Sequence, residues 1–438
     1  MKILLGAALG AAALALSGCP ITGGAKYTVG GTVTGLSGSG LVLQLNGGDS
    51  LSFNGSAAFD FGTRLDNGAA YSVTVMTQPA NPAQVCTVRN GSGTIDKASV
   101  TNVIVACVQT GRFAYVANRQ SNSISGFAID SSGALIPLSG SPFASNGTTP
   151  TALTVDPNGQ FLYVANSGSN SVSVYSIGAT GALSAAGVPI AAGTGPGAVT
   201  VDPTDHFLYV ANLTSNTVSA FAINAGSLTP IVDSPFSAGA EPASLAVDPN
   251  GNFLYVTNFN GNSISVFLID PANGMLSAIA GSPFAAGGGA VSIAVDPTDA
   301  FAFVANNSDQ TIASFALNAT TGALTPSPAA PLAAGTNPEA LTVDPTGSYV
   351  FAANAQAPNQ VATFTITPSS GALTLSSTSA AGLLPIAVAI DPSGHFLYAV
   401  NFNSNDVSAY TLSASGALTP VAGSPFAVGT QPHSIAID

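Results

Sequence analysis

The sequence predicts an all-β chain: a seven-bladed β-propeller closed by its C-terminal strand, preceded by a small Ig-like β-sandwich. Three observations carry this. First, one segment recurs seven times, as RFAYVAN, QFLYVAN, HFLYVAN, NFLYVTN, AFAFVAN, SYVFAAN and HFLYAVN, ending at Asn118, Asn166, Asn212, Asn258, Asn306, Asn354 and Asn401. The spacings are 48, 46, 46, 48, 48 and 47 residues, and a fixed period near 45 fits one four-stranded blade. Second, 48 Gly and 29 Pro are spread through 438 residues, which predicts many turns and few long helices. Third, the chain ends on SIAID (Ser434–Asp438), an inner strand with no partner after it.

Each unit reads as strands A to D. ALTVD (Ala152–Asp156) is an apolar run suited to an inner, doubly buried strand A. PNG then turns the chain, with Pro157 setting φ and Gly159 accepting a positive φ. FLYVAN is strand B. SNSVSVYSI alternates polar and apolar residues with period two and forms strand C. GALS to VPI forms strand D at the rim. Pro137, Pro189, Pro230 and Pro420 fall in or beside D, where an edge tolerates a residue that cannot donate to the ladder.

Seven B strands stand against six A strands that lead into a DP turn, at Asp156, Asp202, Asp248, Asp296, Asp344 and Asp391. Phe113–Ala117 has no A strand before it. Ser434–Asp438 therefore supplies the inner strand of the first blade, and the ring is complete at Asp438.

Residues 27–110 lack this period. About seven short strands with Gly/Asn turns, from YTVGGTVTGL to VTNVIVAC, predict a β-sandwich that is Ig-like or carboxypeptidase-regulatory-like. The short linker VQTG predicts direct packing on the first blade, with residues 111–438 forming the propeller. Residues 1–19 resemble a bacterial lipoprotein signal: a charged start, the apolar run Ile3–Leu16, then LSGC ending at Cys19. Lipidation of Cys19 is expected, with residues 20–26 as a tether; an ordinary cleaved signal is the alternative. An exported, envelope-anchored protein has an oxidising context, so Cys86 and Cys107 are expected to form a disulfide rather than hold a metal.

Charge narrows the partners. Seven Lys and Arg against 20 acids give a net charge of −13, which argues against nucleic acid and anionic membrane surfaces. Contact with a membrane is expected only through the lipid. No cofactor, dinucleotide or zinc motif is present, so neither cofactor nor metal is expected.

The seven YVAN and YVTN units, with their VDP turns, resemble the seven-bladed propellers of the YVTN-repeat and lactonase-like families. The resemblance covers residues 112–438. It implies the fold and, for some members, lactone hydrolysis.

In A-B-C-D order the D–A and B–C loops open on one face, the usual ligand face of a propeller. Just after the loop Pro stand Thr151, Gly197, Ala243, Glu339, Ile386 and His433, with Val291 in the blade that lacks this Pro. Just after the B-strand Asn stand Arg119, Ser167, Leu213, Phe259, Asn307, Ala355 and Phe402. His433 and Arg119 belong to the closing blade, and Glu339 lies two blades away. Arg119 and Arg112 are the two basic side chains of the propeller. His433, Arg119 and Glu339 are the catalytic candidates, and Thr151 joins them as a ligand-binding candidate. Together they could bind and polarise a small carboxylate or lactone. The repeated Asp and Asn residues are expected to serve turns, and His206 and His395 fall in A–B turns on the opposite face.

Lactonase-like enzymes often carry Pro-Arg-His where this chain has QPHS. His433 takes the family's Arg position and Ser434 its His position, and no Glu follows any of the seven Asn. The sequence therefore ranks a monomeric envelope module first, binding a protein, a glycan or a small molecule. Hydrolysis of a small unphosphorylated lactone ranks second.

Overall fold

The computed structural model describes residues 25–36, 39–79, 84–109, 113–328 and 331–438. The signal segment with Cys19, and Arg112, lie outside the described residues. The chain divides into two compact units, Met1–Cys107 and Val108–Asp438.

In the first unit one sheet orders Ala57–Asp60, Val29–Thr34, Val100–Gln109 and Gln84–Arg89. The other orders Asp49–Phe53, Leu41–Leu45, Ala70–Thr77 and Ser92–Thr94. Alternate residues of both sheets share one apolar core that includes Val33, Leu43, Phe59, Val73 and Val105. The Cys86–Cys107 disulfide joins two neighbouring strands of the first sheet.

The second unit is the propeller. Blade 1 is built from Pro432–Ile437 (A), Phe113–Asn118 (B), Ser123–Ile129 (C) and Leu135–Pro137 (D). Tyr115 pairs with Ala436 and Val116 with Ile435, both antiparallel, so residues from opposite ends of the propeller share one ladder. Blade 2 repeats the pattern with Pro150–Val155, Phe161–Asn166, Ser171–Ile177 and Leu183–Ala185. The A strands of blades 3 to 7 are Pro196–Val201, Pro242–Val247, Ala290–Val295, Pro338–Val343 and Pro385–Ile390.

The apolar core lies between blades. Seven clusters occur in this unit, one at each seam. Leu153 and Tyr175 of blade 2 pack with Phe113 and Ala117 of blade 1. Tyr398 and Val407 of blade 7 pack with Phe127 and Ile435 of blade 1, which closes the circle. Strand B is buried on both faces for this reason, as its unbroken apolar sequence requires. Its Tyr hydroxyls find carbonyls in the next blade: Tyr115 donates to Gly181 O at 2.8 Å and Tyr398 to Gly133 O at 3.0 Å.

Strand D differs from expectation. In six blades two short pieces pair with strand C, for example Leu135–Pro137 and Phe143–Ala144. Blade 6 alone carries a continuous D strand, Leu373–Ala380. In blades 1, 3, 4 and 7 an SPF tripeptide marks the interruption, because its Pro offers no amide to the ladder.

Candidate functional site at the propeller mouth

Every A strand carries a β-bulge at its second residue. In blade 2 Pro150 pairs with Asn166 and Ala152 with Ala165, which leaves Thr151 with no partner on strand B. The same slip isolates Gly197, Ala243, Val291, Glu339, Ile386 and His433. A bulge re-aims the side chain it carries. These are the seven residues that the sequence assigns to the mouth.

His433 is the most constrained of them. Its Nδ1 lies 2.8 Å from the backbone oxygen of Thr151, in the neighbouring blade. A carbonyl only accepts, so Nδ1 carries the hydrogen and Nε2 is left as the basic nitrogen. The ring of Phe402, from blade 7, meets the imidazole edge-on at 6.2 Å. Burial pushes the His433 pKa down to about 4, and the Arg119 charge pushes the same way against the Thr151 hydrogen bond. His433 is therefore a neutral base at neutral pH.

Thr151 is 7 % exposed, and its hydroxyl donates to Pro196 O of blade 3 at 2.8 Å. Its side chain is thus engaged with backbone, and its carbonyl holds His433. Arg119 is exposed. With Gln120, Asn122, Thr148, Thr149 and Gln431 it lines a polar concavity of about 460 Å³ between blades 1 and 2.

Glu339 is held apart from these residues. Its Oε1 accepts from Asn337 Nδ2 at 2.7 Å and from Asn307 Nδ2 at 3.0 Å. Burial raises its pKa, and the two amides partly oppose that. None of its hydrogen bonds reaches Arg119 or His433. The structure thus joins His433, Thr151 and Phe402 directly, brings Arg119 within electrostatic reach of His433, and leaves Glu339 in a separate amide cradle. Phe402 stands at a mouth position in the sequence, but its contact with His433 crosses from blade 7 to blade 1 and depends on ring closure.

The repeated residues are structural. Oδ1 of Asp156 accepts from Gln160 N at 2.7 Å and Phe161 N at 2.6 Å, tying the A–B turn. Asp438 does the same across the closure, accepting from Phe113 N at 2.8 Å. The seven Asn are fully buried. The loop-backbone partners expected for them include Gly239 N, 3.0 Å from Asn258 Oδ1, Gly287 N, 3.0 Å from Asn306 Oδ1, and Ala334 O, 2.8 Å from Asn354 Nδ2. Hydroxyls of strand C are the commoner partners, as for Asn118 with Ser123 and Ser125. His206 and His395 are exposed in A–B turns and bond Thr204 and Ser393 hydroxyls at 2.9 Å. Among the described residues no group of three or more His, Cys, Asp or Glu side chains is placed to hold a metal ion. No helix among them is long and apolar enough to cross a membrane.

A closed ring of seven such blades with polar groups at one mouth makes this unit a seven-bladed β-propeller. The profile of the family described as lactonase, 7-bladed beta-propeller, matches residues 81–187, 138–236, 186–332 and 327–434, and the chain belongs to this family. Among solved structures it resembles a candidate 6-phosphogluconolactonase of Bacteroides uniformis, with TM-score 0.67 and 21 % identity over 75 % of this chain and 100 % of that one. It also resembles the periplasmic gluconolactonase of Pseudomonas aeruginosa, with TM-score 0.64 and 20 % identity over 74 % of this chain and 98 % of that one. At such identities the likeness is one of fold. No curated protein sequence matches.

Proposed function

We propose that the protein hydrolyses a small, unphosphorylated lactone at the propeller mouth, with His433 as general base. The observation that carries this is the Nδ1 contact to Thr151 O, which fixes the tautomer and leaves Nε2 basic. In the proposed step, Nε2 takes a proton from water as the water oxygen bonds to the lactone carbonyl carbon. The ring C–O bond then breaks, and the departing alkoxide recovers the proton to give a hydroxy acid. Arg119 supplies positive charge for the developing oxyanion or for the substrate's own polar groups.

Family membership and the two gluconolactonase neighbours support the reaction class. A phosphorylated substrate is disfavoured because Arg119 is the one Lys or Arg from residue 113 to 438. The geometry thus favours the reading that the sequence ranks second. The test is turnover of a lactone panel by wild type and His433→Ala. The variant should lose about 10²- to 10⁴-fold in rate with its melting temperature nearly unchanged. Wild-type turnover no faster than the uncatalysed reaction sinks the proposal and returns the chain to a binding or scaffolding module.

Attachment to the cell envelope through Cys19 belongs to the same proposal and rests on the residues around it. Radiolabelled palmitate should enter wild type and not Cys19→Ala, and equal labelling of both removes the anchor.

A further inference from the structure

The face opposite the mouth carries a second arrangement that lactone hydrolysis does not use. In the A–B turns of blades 2, 4, 6 and 7 the fourth residue after the strand is Gly159, Gly251, Gly347 or Gly394, each at positive φ. A Cβ on Gly159 would lie 3.9 Å from Asp438 Oδ2 of the preceding blade. Gly251 and Gly347 stand likewise over Asp202 Oδ2 and Asp296 Oδ2, at 4.0 and 3.7 Å. In blades 3 and 5 this position is Asp205 or Asp299, at φ 61° and 59°. A carboxylate is thereby set against Asp156 at the 2/3 seam and against Asp248 at the 4/5 seam.

The rest of each turn is adapted to the pairing. Asp202, Asp296, Asp344 and Asp391 have Oδ2 bonded by Thr204, Thr298, Thr346 and Ser393 of their own turns. Blades 2 and 4 have Asn there, and Asn158 and Asn250 reach across to Asp205 Oδ2 at 2.7 Å and Asp299 Oδ2 at 2.8 Å. Asp156 is 4 % exposed, and its Oδ2 has no hydrogen-bond donor; neither has Asp205 Oδ1. The Tyr163 hydroxyl is fully buried, lacks the cross-blade carbonyl that Tyr115, Tyr209 and Tyr398 find, and feels the charge of both carboxylates.

We propose that the 2/3 seam is a hard divalent cation site, with Asp156 Oδ2 and Asp205 Oδ1 as anionic ligands and the Tyr163 hydroxyl beside them. The 4/5 seam repeats the carboxylate pair with Asp248 and Asp299. Two facing carboxylates repel unless a proton or a metal lies between them. Two carboxylates completed by water suit magnesium or calcium, which bind oxygen donors. The set contains two acids and a phenol, so it falls below a count of three acidic or imidazole ligands. The one Lys or Arg of residues 113–438, Arg119, is at the mouth.

Melting of full-length protein at pH 7.5 in EDTA, then in millimolar CaCl₂ or MgCl₂, tests the site against NaCl of equal ionic strength. One of the two divalent ions should raise the Tm by roughly 3–6 °C. Asp205→Asn with Asp299→Asn should fold, melt higher than wild type in EDTA and lose the response. A response to divalent ions no larger than to NaCl overturns the site, and so does a full response retained by the double variant. The readout is independent of lactone turnover, so it fails or succeeds separately from His433 chemistry.

Discussion

His433 Nδ1 and the carbonyl oxygen of Thr151 stand 2.8 Å apart across the seam between blades 1 and 2. The orientation of the half-buried His433 imidazole thus depends on ring closure, since strand A of blade 1 is Pro432–Ile437 and strand A of blade 2 is Pro150–Val155. This contact sets the tautomer of His433, while its lowered pKa comes from burial first and from Arg119 second.

The pH–rate profile should report that state. With its pKa pushed down to about 4, His433 is neutral through most of the acid range. The acid limb of lactone kcat/KM is expected near pH 4, well below that of a free imidazole. Arg119→Gln removes a charge that lowers the His433 pKa, so the limb should move to higher pH. A limb near 6.5 in wild type, unmoved in the variant, contradicts the assignment.

Thr151→Val separates positioning from packing. It deletes the hydroxyl bound to Pro196 O but keeps the carbonyl that holds His433. Stability should fall by about 1 kcal/mol. Turnover should stay within about twofold of wild type, as measured by initial rates beside a denaturant titration.

The fold should also depend on pH, with a sign set by the carboxylates. Burial raises Asp156 to about 6 and pushes Asp205, Asp248, Asp299 and Glu339 upward. Asp202 and His206 also act on Asp205, and Asp296 on Asp299. A raised carboxylate binds its proton more tightly when folded, so its stabilisation is present at low pH and lost as pH rises through about 6. His433 works the other way, its contribution being lost as pH falls from 6.5 toward 4. Asp130, lowered by the Ser132 hydroxyl, sides with His433 but titrates below this window, so the five raised carboxylates predict a higher Tm at pH 4.5 than at pH 7.5 in EDTA. Calorimetry showing the reverse refutes the sign.

Closure can be tested at one carboxylate. Asp438→Ala leaves the buried Phe113 amide without the acceptor it has at 2.8 Å, at a cost of about 1–3 kcal/mol. Deleting Ser434–Asp438 removes the pairs from Ala114–Ile437 to Ala117–Ser434. The truncated protein should lose its cooperative melt, and an unchanged Tm rules the shared ladder unnecessary.

Much of this was legible because the repeat fixes it. YVAN marks strand B, DP marks the A–B turn, and the uneven strand count leaves Ser434–Asp438 to close blade 1. The break in strand D went unread although SPF recurs in four blades, because Pro in an edge strand is compatible with a continuous strand as well. The mouth residues were legible by position but not by contact. His433 and Arg119 share blade 1, yet the ring packed on His433 is Phe402 of blade 7, and Glu339 is bound by Asn307 of blade 5. Such cross-blade neighbours depend on the stagger of adjacent sheets, which no single repeat encodes. The opposing carboxylates had a visible signal in the alternation of DPNG with DPTD, which was read only as a turn.

The seven bulges have a consequence for how this mouth diversifies. A residue with no partner across the ladder can be replaced without changing the pairs on either side of it. Thr151, Gly197, Ala243, Val291, Glu339, Ile386 and His433 already span hydroxyl, hydrogen, methyl, branched alkyl, carboxyl and imidazole on one repeated backbone. Selection for a new ligand can therefore act on one residue per blade, while the blade sequences that build the ring drift under a separate constraint.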